Sequence, residues 1–286
     1  MMYLYYPDSS IVQIIGYRCW RRARAILWYW FERIRFLEQY GELRRLKGSA
    51  RGRNAFVFAN GPSVSCLDPY KVRGMGFDIF AINGYLWSDF SRIVAPTHYV
   101  LSDPACFYAP NSKRRTDAQV EIAKKYIQLI AEIEALGATL FVPMRFMSLL
   151  PTRKVIGFCD VENEFSNNVM NVMKPRGYIT MTAYKALAIS LYMGYEKIYI
   201  CGMDNDYFKE LEADEENRLY YNDRHFFGEE KKTNPGVDGD TVGEFLYTHH
   251  FLFSHFSKFP KERIVNLHKS SLNTYFPKEH ALDVYK

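Results

Sequence analysis

Short apolar runs, each stopped by a polar residue beside a glycine or proline, recur along this chain. Phe56-Val57-Phe58-Ala59 stops at Asn60-Gly61-Pro62-Ser63, and Asp78-Ile79-Phe80-Ala81-Ile82 stops at Asn83-Gly84. Tyr99-Val100-Leu101-Ser102 stops at Asp103-Pro104, and Lys197-Ile198-Tyr199-Ile200-Cys201 at Gly202-Met203-Asp204. An apolar stretch with no polar alternation reads as a strand buried on both faces, the habit of parallel sheets. Such strands deliver the next polar residue to the carboxyl edge of the sheet, where open α/β folds bind ligands. Four edges carrying Asn60, Asn83, Asp103 and Asp204 predict one cleft rather than four unrelated loops.

Helical periodicity fills the intervals. From about 117 to 136, Ile122, Tyr126, Leu129, Ile133 and Leu136 share one face, and Gly137 is the stop signal. Thr139-Leu140-Phe141-Val142, ended by Pro143, reads as a strand. A helix from about 182 to 193 closes at Gly194 and leads into the strand at 198–201. A helix over about 241–259 and a short strand over 263–267 finish the pattern. Strand and helix in alternation predict the α/β class: a single Rossmann-like domain over 54–286, with a mostly parallel sheet and helices on both faces. Residues 208–240 are charged, contain Gly and Asn, and show no period, which predicts a flexible lid that orders over ligand. Residues 11–46 read as an amphipathic helical segment with Gly16 and Gly41 its only breakers, and 47–53 as a linker to the domain.

Charge separates the two parts. Residues 1–53 hold eleven Lys/Arg against four Asp/Glu, whereas the whole chain is only +5. The basicity therefore belongs to the N-terminal segment, where Arg21, Arg22 and Arg24 alternate with Trp20, Trp28, Tyr29 and Trp30. Tryptophan and tyrosine favour the headgroup zone and arginines attract anionic lipid, so this segment predicts contact with a membrane surface. No run of about 18 uncharged apolar residues is present to span a bilayer. The competing reading is a helix packed on its own domain or on a second copy in a homo-oligomer. Five scattered cysteines without CxxC spacing predict reduced thiols, with neither a disulfide frame nor a zinc site. With no secretory leader in view, the expected place is the cytoplasm, peripheral to the inner membrane. Nucleic-acid binding is not indicated, since the basic residues lie on no recognised module.

Several residues offer chemistry. The Asn60-Gly61-Pro62-Ser63 turn can present backbone N–H groups and an amide to a phosphate, although neither a Walker loop nor GxGxxG is present. Asn83 and Asp103 can hold sugar hydroxyls, or form ordinary Asx turns. Asp204-Asn205-Asp206 has the spacing of a divalent-metal motif, with Asp103 a conceivable further ligand, but a hydrogen bond from a ligand hydroxyl to Asp204 is the simpler role, and no metal site is assigned. In the lid, Arg224-His225-Phe226-Phe227-Gly228-Glu229-Glu230 offers His225 and Glu229 as acceptors of a proton. His249, His250 and His255 lack metal-pair spacing. Lys269-Ser270-Ser271 can reach a phosphate or be an ordinary loop.

The stretches FANGPS, FAINGYLW, VLSDP, TAYKALAISLYMGYEKIYICGMD, HFFGE and NLHKSSL, taken in order, resemble bacterial sialyltransferases of the Campylobacter lipooligosaccharide type and the related domain-115 nonulosonate transferases. The resemblance spans about residues 54 to 277, and MGYEKIYICGMD is its most specific block. It implies a CMP-activated ulosonic acid, of sialic acid or Kdo type, as donor, with no separate cofactor and a hydroxyl of a surface glycan or glycolipid as acceptor. It implies that Asn60, Gly61 and Ser63 contact the nucleotide phosphate, Asn83 the donor, Thr182 the sugar carboxylate or phosphate, and Gly202 and Asp204 the cytidine ribose and base. The chain departs from the family at three places. Asp103 stands where asparagine is usual, and Ile179 where an arginine precedes the Thr-Ser pair. Glu229 replaces the histidine proposed as general base, with His225 as the other candidate. A glutamate of ordinary pKa, about 4.3, is a weaker base at neutral pH than histidine. Two other readings keep the fold: a pterin diphosphokinase-like enzyme using ATP and magnesium, and a non-catalytic membrane-associated assembly protein.

Overall fold

Each of the six apolar runs identified above forms a strand of one sheet. The structure, a computed structural model, describes residues 11–107, 117–150, 155–163, 166–177, 181–233 and 241–285. Two helices come first, α1 (Ile11–Arg35) and α2 (Leu37–Leu46), followed by β1 (Ala55–Phe58), α3 (Pro69–Gly74), β2 (Asp78–Ile82), α4 (Asp89–Ile93) and β3 (His98–Val100). Then come α5 (Asp117–Ala135), β4 (Thr139–Pro143), β5 (Val155–Phe158), α6 (Thr182–Met193) and β6 (Ile198–Cys201). The chain ends with β7 (Leu211–Ala213), β8 (Leu219–His225), β9 (Gly228–Thr233), α7 (Val242–Ser254), β10 (Ile264–Asn266) and α8 (Ala281–Val284).

The main sheet has seven strands in the order β10-β6-β1-β2-β3-β4-β5, and every pairing in it is parallel. From β1 the chain steps outward to β5, then returns through α6 to place β6 on the other side of β1. The order therefore reverses between β1 and β6, the kind of switch point at which doubly wound sheets open a crevice. The fold is α/β and Rossmann-like, as the alternation predicts. Period-two alternation sorts the strands between two cores. Val57, Phe80, Val100 and Phe141 face α6, while Phe56, Phe58, Tyr99 and Leu140 face the side of α5. All twelve residues of α6 are buried, which explains why its sequence is almost uniformly apolar.

Three expectations need correction. The stretch 47–53 is not a free linker: Gly48 N–H and Ala50 N–H donate to Tyr192 O and Met193 O, so it caps the C-terminal end of α6. The helical segment 11–46 breaks at Phe36 (φ −121°, ψ 39°), while Gly16 and Gly41 both lie inside helices. The aperiodic stretch 208–240 contains a three-stranded antiparallel sheet, β7-β8-β9. Asp, Arg, Glu and Lys interrupt its strands and hide the period that apolar alternation would show; residues 234–240 lie outside the described residues. The seventh strand, β5, has no counterpart among the apolar runs, because a glycine interrupts Val155-Ile156-Gly157-Phe158.

The first two helices cover the β5 edge of the sheet. Gly157 N–H donates to Gln39 Oε1 at 2.9 Å, and Tyr40 and Leu43 join the core beneath. On α1, Ala25 and Glu32 face inward and Arg21 meets Glu162 at 3.4 Å. Glu32 is buried against Cys159 and Tyr40, and desolvation raises its carboxyl to about 7. Next to it, Asp160 gathers Lys185 at 3.0 Å, Arg145 at 3.0 Å and Arg176 at 3.7 Å. Burial pulls the Lys185 ammonium and the Arg176 guanidinium below their ordinary pKa values, against the opposing pull of Asp160.

Candidate active site

The predicted cleft residues meet at one edge. Beyond the last paired residues of β1 and β6 the ladder continues: Ala59 N–H donates to Cys201 O and Gly61 N–H to Gly202 O, each at 2.9 Å. Ser63 N–H donates to Asp204 Oδ2 at 3.0 Å, and Gly202 N–H to Ser63 Oγ at 2.9 Å. Glycine is required at both positions for steric reasons. A Cβ at Gly61 would stand 2.4 Å from Asp204 Oδ2 and 2.6 Å from Gly202 O. At Gly202, where φ is +79°, it would stand 2.4 Å from Ala59 O.

These bonds change the chemistry expected of the turn. Gly61 N–H and Ser63 N–H are engaged within the protein and Pro62 has none, so the turn is not a cradle of free donors for a phosphate. Asp204 is only 5% exposed; its other oxygen lies 3.1 Å from His268 Nδ1, and its carbonyl accepts from Leu272 N–H. The Asp204 carboxylate thus knots β1, β6 and the segment after β10 together. His268 belongs to the NLHKSSL stretch but carried no assigned role from sequence, because its partner is 64 residues away.

The unengaged polar groups lie alongside. Asn60 Oδ1, Asn83 Oδ1 and Asn205 Oδ1 are buried without a hydrogen-bond partner. They follow β1, β2 and β6, which are neighbours in the sheet. Asn83 and Asn205 adopt left-handed backbone at φ 45° and 59°, a conformation asparagine tolerates. Tyr99 OH donates to Asn83 O at 2.6 Å and fixes that turn. Buried amide oxygens are nearly always satisfied, so three left open at a switch point call for a donor from outside the chain, a water or a ligand. One strand further along, Ser102 Oγ and Thr182 Oγ1 are 2.7 Å apart, which brings the N-terminus of α6 to the end of β3, next to exposed Asp103. Ile179 lies outside the described residues.

The hairpin tip docks on this edge. Phe226 N–H donates to Asn60 O at 3.0 Å, and the Phe226 ring lies 5.9 Å from Tyr85. His225, at the end of β8, pairs in register with Gly228, and its ring lies 5.0 Å from Phe227. Glu229 pairs with Arg224 in the backbone register of β9, while its side chain lies outside the described residues. Of the two candidate bases, His225 adjoins Phe226 at the docked tip. Phe227 also stands edge-to-face with Trp87 at 5.5 Å. Two cavities flank this ring pair, one of about 350 Å³ reaching Ser65 and one of about 430 Å³ reaching His225 and α5. Asp204 borders neither. Among the described residues no group of three or more His, Cys, Asp or Glu is placed to hold a metal ion. Asp206 pairs with Lys209 at 3.7 Å on the surface.

The outer face of α1 is unlike the rest of the surface. Opposite inward-facing Ala25 and Glu32, it exposes Trp20, Leu27, Trp30, Phe31 and Ile34, with Leu27 at 72% and Ile34 at 71%. Arg24 stacks over Trp20 at 4.7 Å and Arg33 over Trp30 at 5.8 Å. Among the described residues no helix is long and apolar enough to cross a membrane.

No protein-family model matches the chain, and no curated protein sequence matches it. In structure it is similar to the MAf glycosyltransferase from Magnetospirillum magneticum AMB-1, with a TM-score of 0.45 and 13% identity. That similarity covers 82% of this chain but 34% of the other, so the chain spans about a third of that protein's length.

Proposed function

We propose that the protein is a glycosyltransferase that moves a CMP-linked ulosonic acid onto a hydroxyl of a glycan or glycolipid. The observation that carries this reading is the row of buried, unpartnered amide oxygens of Asn60, Asn83 and Asn205 at the switch point. A pyrimidine nucleotide with an amino group and ribose hydroxyls supplies the donors they lack. Thr182 and the N-terminus of α6 suit the negative charge of the phosphate or the ulosonate carboxylate. Asp103, exposed beside them, suits sugar hydroxyls. Gly61, Ser63, Gly202 and Asp204 act by fixing the β1–β6 edge, rather than by direct contact with phosphate.

The acceptor oxygen bonds to the anomeric carbon as the bond from that carbon to the CMP phosphate breaks. CMP carries away the electron pair, and the acceptor proton passes to His225, with Glu229 the other candidate acceptor. The protein's task is then positioning, stabilisation of the leaving phosphate, and removal of one proton. Thermal shift with CMP, UMP, AMP and GMP tests the nucleotide, and release of CMP from CMP-sialic acid and CMP-Kdo tests the chemistry. CMP is expected to stabilise the protein most, and His225→Ala to slow transfer by about a hundredfold. A response to ATP with magnesium but none to CMP would favour diphosphoryl transfer instead. Binding of CMP without any turnover would leave a non-catalytic protein.

The reading includes a place at the cytoplasmic face of the inner membrane, held by residues 11–46. Its support is the exposed apolar stripe of α1 flanked by arginines, the arrangement of a helix lying in the headgroup zone. Because Tyr40 and Leu43 are part of the core, deleting this segment would damage the fold. The suitable variant is Leu27→Glu with Phe31→Glu and Ile34→Glu, all exposed. It is expected to lose sedimentation with phosphatidylglycerol-containing vesicles while keeping the wild-type melting temperature. Equal sedimentation of both proteins would refute the contact, and a dimer broken by the same changes would assign the stripe to a second copy.

A further inference from the structure

We propose that the cavity between the hairpin tip and α5 binds an uncharged pyranose ring of the acceptor. The inference rests on the glycosyltransferase reading only in calling that ring an acceptor. The cavity, about 430 Å³, lies in the range of small-ligand sites. One wall is aromatic. Trp87 is 43% exposed and stands edge-to-face with Phe227, while Tyr126 braces it with ring centroids 5.6 Å apart. This wall depends on a glycine: a Cβ at Gly84 would lie 2.4 Å from Trp87 Cε3 and 2.7 Å from Phe227 Cζ. Only a residue without a side chain lets both rings settle over the backbone here.

The opposite wall is polar. Lys125, Gln128 and Glu132 fall at helical spacings of three and four on α5, so they form one exposed stripe above buried Leu129. A pyranose has the matching surface, with an apolar face of C–H groups and a rim of hydroxyls. The aromatic wall takes the face; the amine, amide and carboxylate take the rim. Charge narrows the class. Lys125 and Glu132 cancel, and a site for phosphate or carboxylate would carry a cationic excess instead.

The ring pair also divides the cleft. The second cavity, on the Ser65 side, is bordered by Ser88, Asp89 and Phe226 and not by His225. His225 borders the α5 side. A sugar hydroxyl presented from that side therefore lies near the candidate base. The exchange is the one given above, in which the hydroxyl oxygen gains the anomeric carbon, CMP departs, and the proton goes to His225.

Saturation-transfer NMR on the full chain tests this, with methyl β-galactoside, methyl β-glucoside and methyl β-N-acetylglucosaminide as probes, each with and without CMP. At least one glycoside is expected to receive saturation, strongest at its ring C–H protons. Trp87→Ala is expected to weaken that signal about fivefold, and Gln128→Ala by a smaller factor, with the thermal response to CMP unchanged. Gln128 is exposed, so its variant keeps the test decisive if Trp87→Ala folds poorly. Saturation of none of the three glycosides overturns the proposal, as does equal saturation of wild type and both variants. Glycoside binding without a CMP response would remove the CMP donor and leave the sugar subsite standing.

Discussion

The β1–β6 crevice and the β7–β9 hairpin face each other across the cleft and are built on opposite principles. In the crevice, two glycines allow backbone to touch backbone, and Ser63, Asp204 and His268 bond side chain to strand end. Two strand ends and a distant loop are thereby fixed in one geometry. The hairpin strands pair with each other and set Leu219 and Tyr221 on Phe245 of α7, and the tip meets the sheet edge through a backbone bond, Phe226 to Asn60, and the rings of Phe226 and Phe227. The difference teaches which half of the site is preorganised. Local opening free energies follow buried contacts and backbone bonds, so the hairpin is expected to open at a lower free energy than the crevice.

The sharpest way to break this contrast is Gly202→Ala. It combines strained backbone with a Cβ 2.4 Å from Ala59 O, and is expected to cost about 4 kcal/mol or prevent folding, read by urea denaturation. A loss under about 1 kcal/mol would mean that the crevice yields as readily as the hairpin.

The α1 seam supplies the next test, since it is as buried as the crevice yet holds a titrating group. The Glu32 carboxyl is raised from 4.5 to about 7, so the native state holds the proton more tightly than the unfolded chain. Wild-type stability therefore falls as pH rises from 4.5 through 7, by on the order of 3 kcal/mol in full. Glu32→Gln has no such dependence. Its stability relative to wild type is expected to climb between pH 5 and 8, as measured by denaturant midpoints at several pH values. A constant difference would place Glu32 in contact with water, as loosely held as the hairpin.

Asp204→Asn weakens charge-assisted bonds from Ser63 and His268 and is expected to cost about 2 kcal/mol. The smallest effect on global stability belongs to Phe226→Ala, under about 1 kcal/mol, accompanied by faster proteolysis within residues 208–233. Unchanged proteolysis would show that the tip contact does not hold the hairpin down.

Much of the frame was legible. Phe56–Ala59, Asp78–Ile82 and Ile198–Cys201 are apolar without alternation because both sheet faces are covered, and that pattern survives in one dimension. The corresponding strand ends, Asn60, Asn83 and Asp204, indeed share one edge. The hairpin was not legible, because Leu219–His225 and Gly228–Thr233 pair with each other without filling a large core, and their charges carry no period. The engagement of Ser63 and Asp204 escaped for another reason: NGPS has the same look whether its N–H groups face a ligand or a neighbouring strand.

The sequence by itself determined six of the seven strands of the main sheet, the long helices packed on it, and which polar residues lie at those strand ends. Burial imposes period and composition on local stretches of chain, and these can be read without a partner. Only the tertiary structure decided which of those polar groups are already satisfied, that the Trp87–Phe227 pair divides the cleft, and that α1 turns its aromatic stripe outward while Glu32 faces in. Those outcomes depend on contacts between residues far apart in the chain, such as Ser63 with Asp204 and Gly84 with Phe227, and local pattern does not encode such pairings.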